Sequence, residues 1–120
     1  AARISELSQR TNQFNLSDVR YTEEEINYFI RDEGYCVYVL SASDKYGDMG
    51  LVGSAVVRKT ENLIIGFFLS CRVFGRCFEE HFLNKIKSNF AVSMYGIYKR
   101  TDKNKRFEDF YPKNGVEVYE

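Results

Sequence analysis

Between Ser70 and Phe78 the chain reads Ser-Cys-Arg-Val-Phe-Gly-Arg-Cys-Phe, and these residue types at this spacing suit phosphate chemistry. Arg72 and Arg76 flank Gly75, and a guanidinium can pair two phosphate oxygens at once. A glycine-containing loop feeding a helix presents backbone N–H groups that no intrahelical carbonyl can satisfy. The positive end of the helix dipole lies behind them. Cys77 is small enough to allow close backbone approach, and a helix N-terminus lowers a thiol pKa. The same layout occurs at strand–helix junctions throughout α/β proteins, where the two arginines are simply solvated. Cys71 reads either as a small packing residue or as a thiol beside the ligand. Other chemistries are excluded more firmly. His81 is the only histidine, so neither a His-based metal cluster nor a Ser-His-Asp triad can be built. Asp44, Tyr46, Asp48 and Gly50 faintly suggest a calcium loop, but Ala55 stands where a bidentate glutamate is needed. No metal is expected.

The elements that must position this loop follow from periodicity. Ile64, Ile65, Phe67, Phe68 and Leu69 form a short apolar run suited to a central strand. Phe78, Phe82, Leu83 and Ile86 recur at offsets of four, five and eight, which is one face of a helix. Upstream, Ile4 to Gln13 predicts a lead-in helix and Leu16 to Tyr21 a short strand. Thr22-Glu23-Glu24-Glu25 is a capping box, with Tyr21 and Ile26 placed as a hydrophobic staple, and the helix it opens ends at Gly34. Tyr35 to Ser41 and Leu51 to Thr60 read as an antiparallel hairpin around a loop rich in Asp and Gly. Ala91 to Lys99 alternates and is rich in aromatics, hence another strand. A helix from Asn104 would place Phe107 and Tyr111 on one face, and Pro112 could not prolong it. Gly115 permits a left-handed turn into a last strand from Val116. The order predicts an α/β domain with a mixed, mostly antiparallel sheet flanked by helices, its last edge open.

Composition sets the bounds. A chain of 120 residues supports one domain with a core large enough to fold without staples. Lys plus Arg and Asp plus Glu are 17 each, so no global field favours nucleic acid or an anionic membrane. Cys36, Cys71 and Cys77 are odd in number and lack metal spacing, which fits reduced thiols. No signal-peptide pattern opens the chain and its longest apolar run is too short to cross a bilayer, so a cytoplasmic location is expected.

Two motifs in order give a family resemblance. Arg72-x-x-Gly75-x-Cys77 resembles the pyrophosphate loop of GNAT-type acyltransferases, Gln/Arg-x-x-Gly-x-Gly/Ala. Asn104, Phe107, Tyr111, Gly115 and Val116 resemble the ending Asn-x-x-Ala-x-x-x-Tyr-x-x-x-Gly-Phe, with Phe for Ala and Val for the last Phe. Three further blocks narrow it. Leu7-Ser8-Gln9-Arg10-Thr11-Asn12-Gln13-Phe14-Asn15, Asp44 to Gly53, and Ser70-Cys71-Arg72-Val73-Phe74-Gly75-Arg76 resemble segments of FkbH-like proteins. In these proteins a haloacid-dehalogenase-type phosphatase domain precedes a GNAT-like domain.

The resemblance implies a GNAT-like acyl-CoA acyltransferase fold over residues 1–120, cut from the C-terminal part of a larger FkbH-like protein whose upstream phosphatase domain is absent here. It implies an acyltransferase that binds the phosphopantetheine of coenzyme A or of an acyl carrier protein, in methoxymalonate-type polyketide biosynthesis. Leu69, Ser70, Cys71, Arg72, Val73, Phe74, Gly75, Arg76 and Cys77, with Asn104, would contact the cofactor. The pantetheine would add alongside the strand ending at Ser70, and the N–H groups from Val73 to Cys77 would hold its phosphates. Tyr111 would give a proton to the leaving thiolate, a phenol near pKa 10 being a sensible acid for a thiolate whose conjugate acid lies at roughly 8.5. One departure matters: Leu63 to Ser70 carries no ionisable residue, whereas many GNAT enzymes place a glutamate base on that strand. A base would have to come from elsewhere, such as Glu61 or Asp48. The alternative is a non-catalytic carrier-protein docking module. Lys99, Arg100, Lys103, Lys105 and Arg106 form a basic cluster that would suit an acidic carrier or a cofactor phosphate, or would be a solvated loop.

Overall fold

The apolar run becomes the middle of the sheet. A computed structural model describes residues 1–44, 47–73 and 78–119. Its elements are α1 (Ala2–Arg10), β1 (Phe14–Asn15), α2 (Glu23–Arg31), β2 (Tyr35–Asp44), β3 (Gly47–Arg58), β4 (Leu63–Leu69), α3 (Phe78–Lys87), β5 (Tyr95–Ile97), α4 (Phe110–Lys113) and β6 (Glu117–Tyr119). The six strands form one mixed sheet in the order β2-β3-β4-β5-β6, with β1 paired to β4 off that path. The β2–β3, β3–β4 and β1–β4 pairs are antiparallel, and β4–β5 and β5–β6 are parallel.

Helices cover both faces, as an α/β layer arrangement requires. On one face Ile4, Leu7, Tyr21 and Ile26, from α1, α2 and the segment between them, pack on Val56 and Phe68. On the other, Phe82, Leu83 and Ile86 of α3 and Phe110 and Tyr111 of α4 pack on Phe67, Leu69 and Val52. Alternation along β4 thus sends Phe67 and Phe68 to opposite cores, each fully buried. Burial of such a side chain contributes about 1.5–3 kcal/mol.

Local signals set α2. Thr22 Oγ1 accepts from Glu25 N–H at 3.1 Å, and Glu25 Oε1 accepts from Thr22 N–H at 3.0 Å, which completes the capping box. Tyr21 and Ile26 share one buried cluster. The predicted hairpin is present and longer than expected, Tyr35 pairing with Arg58 and Asp44 with Gly47.

Three expectations are corrected. The strand predicted over Leu16 to Tyr21 is instead the two-residue β1, just before it. The Asn15 side chain ends it, donating to Val19 O at 2.8 Å and accepting from Val19 N at 3.2 Å, so the backbone turns rather than extends. The strand predicted over Ala91 to Lys99 shrinks to Tyr95–Ile97. Beyond it, Lys99 N bonds Leu16 O at 2.8 Å instead of reaching β4. The single helix predicted from Asn104 is a 3-10 turn at Lys105–Phe107 followed by α4. Pro112 lies inside α4 rather than beyond it, at the third residue, where a backbone N–H would have no intrahelical acceptor. Gly115, at φ 79°, makes the left-handed turn into β6.

Candidate functional site

The C-terminal end of β4 and the segment joining α1 to β1 face each other across a groove of about 530 Å³. One wall carries Leu69, Ser70, Cys71 and Arg72, the other Leu7, Arg10, Thr11, Asn12, Gln13 and Phe14, and Lys103 completes the rim. Leu7, Phe14 and Leu69 are buried and supply apolar surface, whereas Arg10, Asn12, Gln13, Cys71, Arg72 and Lys103 are exposed. Among the described residues the lining holds three cations and no carboxylate. An anion with an uncharged polar body is the ligand such a surface suits.

Each wall has a local cause. After Arg10 the backbone becomes extended at Thr11, φ −92° and ψ 112°, which ends α1. Thr11 donates from N and Oγ1 to Leu7 O, at 3.0 and 2.6 Å, so the last turn is closed by its own cap. Phe14 then anchors the segment, its ring 4.3 Å from Phe107 and 5.0 Å from Phe110. Opposite, Ser70 N bonds Val52 O at 2.7 Å, and Cys71–Val73 form a single 3-10 turn.

The groove gathers four of the residues expected to contact a cofactor, Leu69, Ser70, Cys71 and Arg72. Phe74, Gly75, Arg76 and Cys77 lie outside the described residues. Val73 corrects the expectation: its side chain is fully buried and its N–H bonds Ser70 O at 3.2 Å, so this amide is not directed to a phosphate. The Arg72 N–H likewise donates to Ser70 Oγ at 3.3 Å.

The strand edge expected to receive pantetheine is filled by the chain itself. β3 lies along one side of β4. On the other side β5 pairs at Leu63 and Ile64, and β1 pairs at Phe68 and Leu69. Between these, Leu16 N donates to Phe67 O at 3.0 Å, and Tyr21 Oη donates to Ile65 O at 3.3 Å. Both sides of β4 are thus occupied by the chain, and the open groove lies at the strand's C-terminal end.

Asn104 is fully buried, away from the groove lining. Its Nδ2 donates to Asn15 O and Lys99 O, each at 2.9 Å. Its Oδ1 accepts from Thr101 N at 2.8 Å and Tyr98 Oη at 3.1 Å. Both donors and both acceptor positions are thereby in use within the fold. The side chain ties the loop after β5 to β1 and has no group left for a cofactor arm.

Tyr111 does not reach the groove either. It is 1% exposed and its ring lies against Gly96, where an added Cβ would stand 2.5 Å from Tyr111 Cε2. Its hydroxyl has no hydrogen-bond partner among the described residues. Burial, and secondarily the neighbouring Tyr21, push the phenol far above its ordinary pKa. In this arrangement the proton is both inaccessible and firmly held.

Glu61 precedes β4 at the strand's other end and pairs with Arg58 at 3.0 Å, so it offers no base to the groove. Among the described residues, no group of three His, Cys, Asp or Glu side chains could hold a metal ion, and no helix is long and apolar enough to cross a membrane.

Residue typing alone did not assign Arg10, Thr11, Asn12 or Gln13 to the site, and it offered Lys103 only as one member of a basic cluster. The readable signal was a run of polar residues between an amphipathic helix and a buried phenylalanine. Comparison with protein-family models, with curated proteins and with solved structures gave no match.

Proposed function

We propose that this chain is a GNAT-like domain of an FkbH-like protein, and that its groove takes the phosphopantetheine arm of coenzyme A or of an acyl carrier protein. One observation carries this reading. The two segments on which the resemblance is most specific, Arg10–Phe14 and Ser70–Arg72, are remote in sequence yet form the two walls of one cationic groove. Arg72 would pair the phosphate, and Thr11, Asn12, Gln13 and Ser70 offer polar partners to the amides of the arm.

Acyl transfer within this site would need a proton donor for the leaving thiolate and a base for the acceptor. The sealed phenol of Tyr111 and the absence of an ionisable residue on β4 favour the second reading, a docking module that presents a carrier-bound arm to an upstream phosphatase or glyceryl-transfer domain. Calorimetric titration with acetyl-coenzyme A, apo-carrier and holo-carrier, with a parallel thioester-turnover assay, tests both. Tighter binding of holo- than apo-carrier, weakened in Arg72→Ala, with no turnover, supports docking. Turnover supports the transferase. No binding of any of these at millimolar ligand by the folded domain overturns the pantetheine reading in either form.

A further inference from the structure

We infer that the groove is a clamp for a phosphate group, in which Arg10 and Lys103 join Arg72 in holding the anion. This deepens, and rests on, the reading of the groove as the ligand site, and assigns to binding two residues outside the strand–loop–helix motif. Three observations carry it. First, among the described residues the charged side chains in the lining are Arg10, Arg72 and Lys103, supplied by α1, by the turn after β4 and by the loop after β5. Such a set has no internal carboxylate to neutralise it, and neither Arg10 nor Lys103 has an ion pair among the described residues. Second, the Asn12 Oδ1 accepts from Arg20 at 3.0 Å, which leaves Asn12 its Nδ2 donor, the polarity an anion requires. Third, β1 closes the edge of β4, so extended backbone-like pairing cannot supply the affinity and recognition falls on the charged end of the ligand.

The ranking of the two residues follows from where they sit. α1 ends at Arg10, so the groove faces the C-terminal, negative end of that helix. Thr11 covers one of its carbonyls, that of Leu7, with two donors. Arg10 supplies the remaining compensation, and without it a bound phosphate would meet an uncompensated negative helix end. Lys103, on a loop, has no such second role.

Titration calorimetry of the full chain with inorganic pyrophosphate, 4′-phosphopantetheine and unphosphorylated pantetheine tests the clamp, with Arg10→Gln, Lys103→Gln and the melting temperature of each. Both residues are exposed and neither side chain has a hydrogen bond among the described residues, so the variants fold. Pyrophosphate and phosphopantetheine bind and pantetheine does not; Arg10→Gln weakens both phosphate ligands about tenfold and Lys103→Gln about threefold, the cost of one and of a partial charge-assisted contact. The melting temperature of Lys103→Gln stays within a degree or so of wild type, that of Arg10→Gln falls by at most a few degrees for the lost last-turn cation, and added salt weakens binding. Unchanged affinity in both variants, or no binding of either phosphate ligand, overturns the clamp. Equal binding of pantetheine with and without its phosphate also overturns it, while leaving the pantetheine reading standing. Pyrophosphate binding that depends on Arg10, with phosphopantetheine no better than pyrophosphate, keeps the clamp and removes the pantetheine reading.

Discussion

Replacing Tyr111 by Phe separates a working phenol from a trapped one. The hydroxyl is buried without a partner among the described residues, and a buried polar group left unsatisfied costs about 1–3 kcal/mol. Removing the oxygen leaves a void of roughly 10 Å³, which at about 24 cal/mol per Å³ returns only about 0.2 kcal/mol of that gain. The ring, its contact with Gly96 and its edge-on packing at 6.2 Å from Phe67 are all retained. Tyr111→Phe is therefore expected to stabilise the domain by about 1–2 kcal/mol, a rise of roughly 3–8 °C in Tm for a domain of this size. Scanning calorimetry at pH 7 measures it. The alkaline limb gives an independent sign. The folded phenol is raised above its unfolded value of about 10, so its contribution is whole below that pH and is lost as pH climbs beyond it. The variant should lose less stability between pH 10 and pH 11 than wild type. Its slope is reduced and not abolished, because Tyr21 is also raised, chiefly by burial and then by Glu25. A drop in Tm would show that the hydroxyl has a hydrogen-bond partner. Thioester turnover present in wild type and lost in the variant would show that the phenol reaches a substrate, and would refute the inference from burial.

Two further predictions concern the frame of the groove. Asn104→Ala takes away the partner of Lys99 O and of Thr101 N, whereas Asn15 O keeps Asp18 N and Tyr98 Oη keeps the backbone oxygen of residue 104, so unfolding in urea should show a loss of about 2–3 kcal/mol; a loss below about 1 kcal/mol would mean that water replaces the clamp. Thr22→Ala removes the reciprocal cap of α2 and should cost about 1 kcal/mol by the same measurement, whereas Thr22→Asp should recover most of it. Neither residue lines the groove, so for Thr22→Ala pyrophosphate binding should stay at the wild-type value.

The sequence by itself determined whatever depends on neighbours along the chain. The capping box at Thr22, the β2–β3 hairpin, the apolar strand β4, the amphipathic face of α3 and the left-handed turn at Gly115 were all legible, because each is set by spacing within one or two turns or strands. The two specific polar segments of the groove were also visible as segments. What only the tertiary structure decided is how distant pieces meet. The placement of β1 against β4 depends on one pair of residues, Phe14 and Asn15, finding Leu69 and Phe68, a pairing too short to leave a periodic signal. That wedge shortens β5, closes the strand edge and creates the second wall of the groove. Asn104 and Tyr111 occupy the spacing of a motif, yet spacing cannot say whether an amide finds four partners inside the fold or a phenol ends beneath Gly96 with none. Residue type sets what a side chain can offer; burial and partners, which are properties of the folded chain, decide whether the offer reaches a ligand.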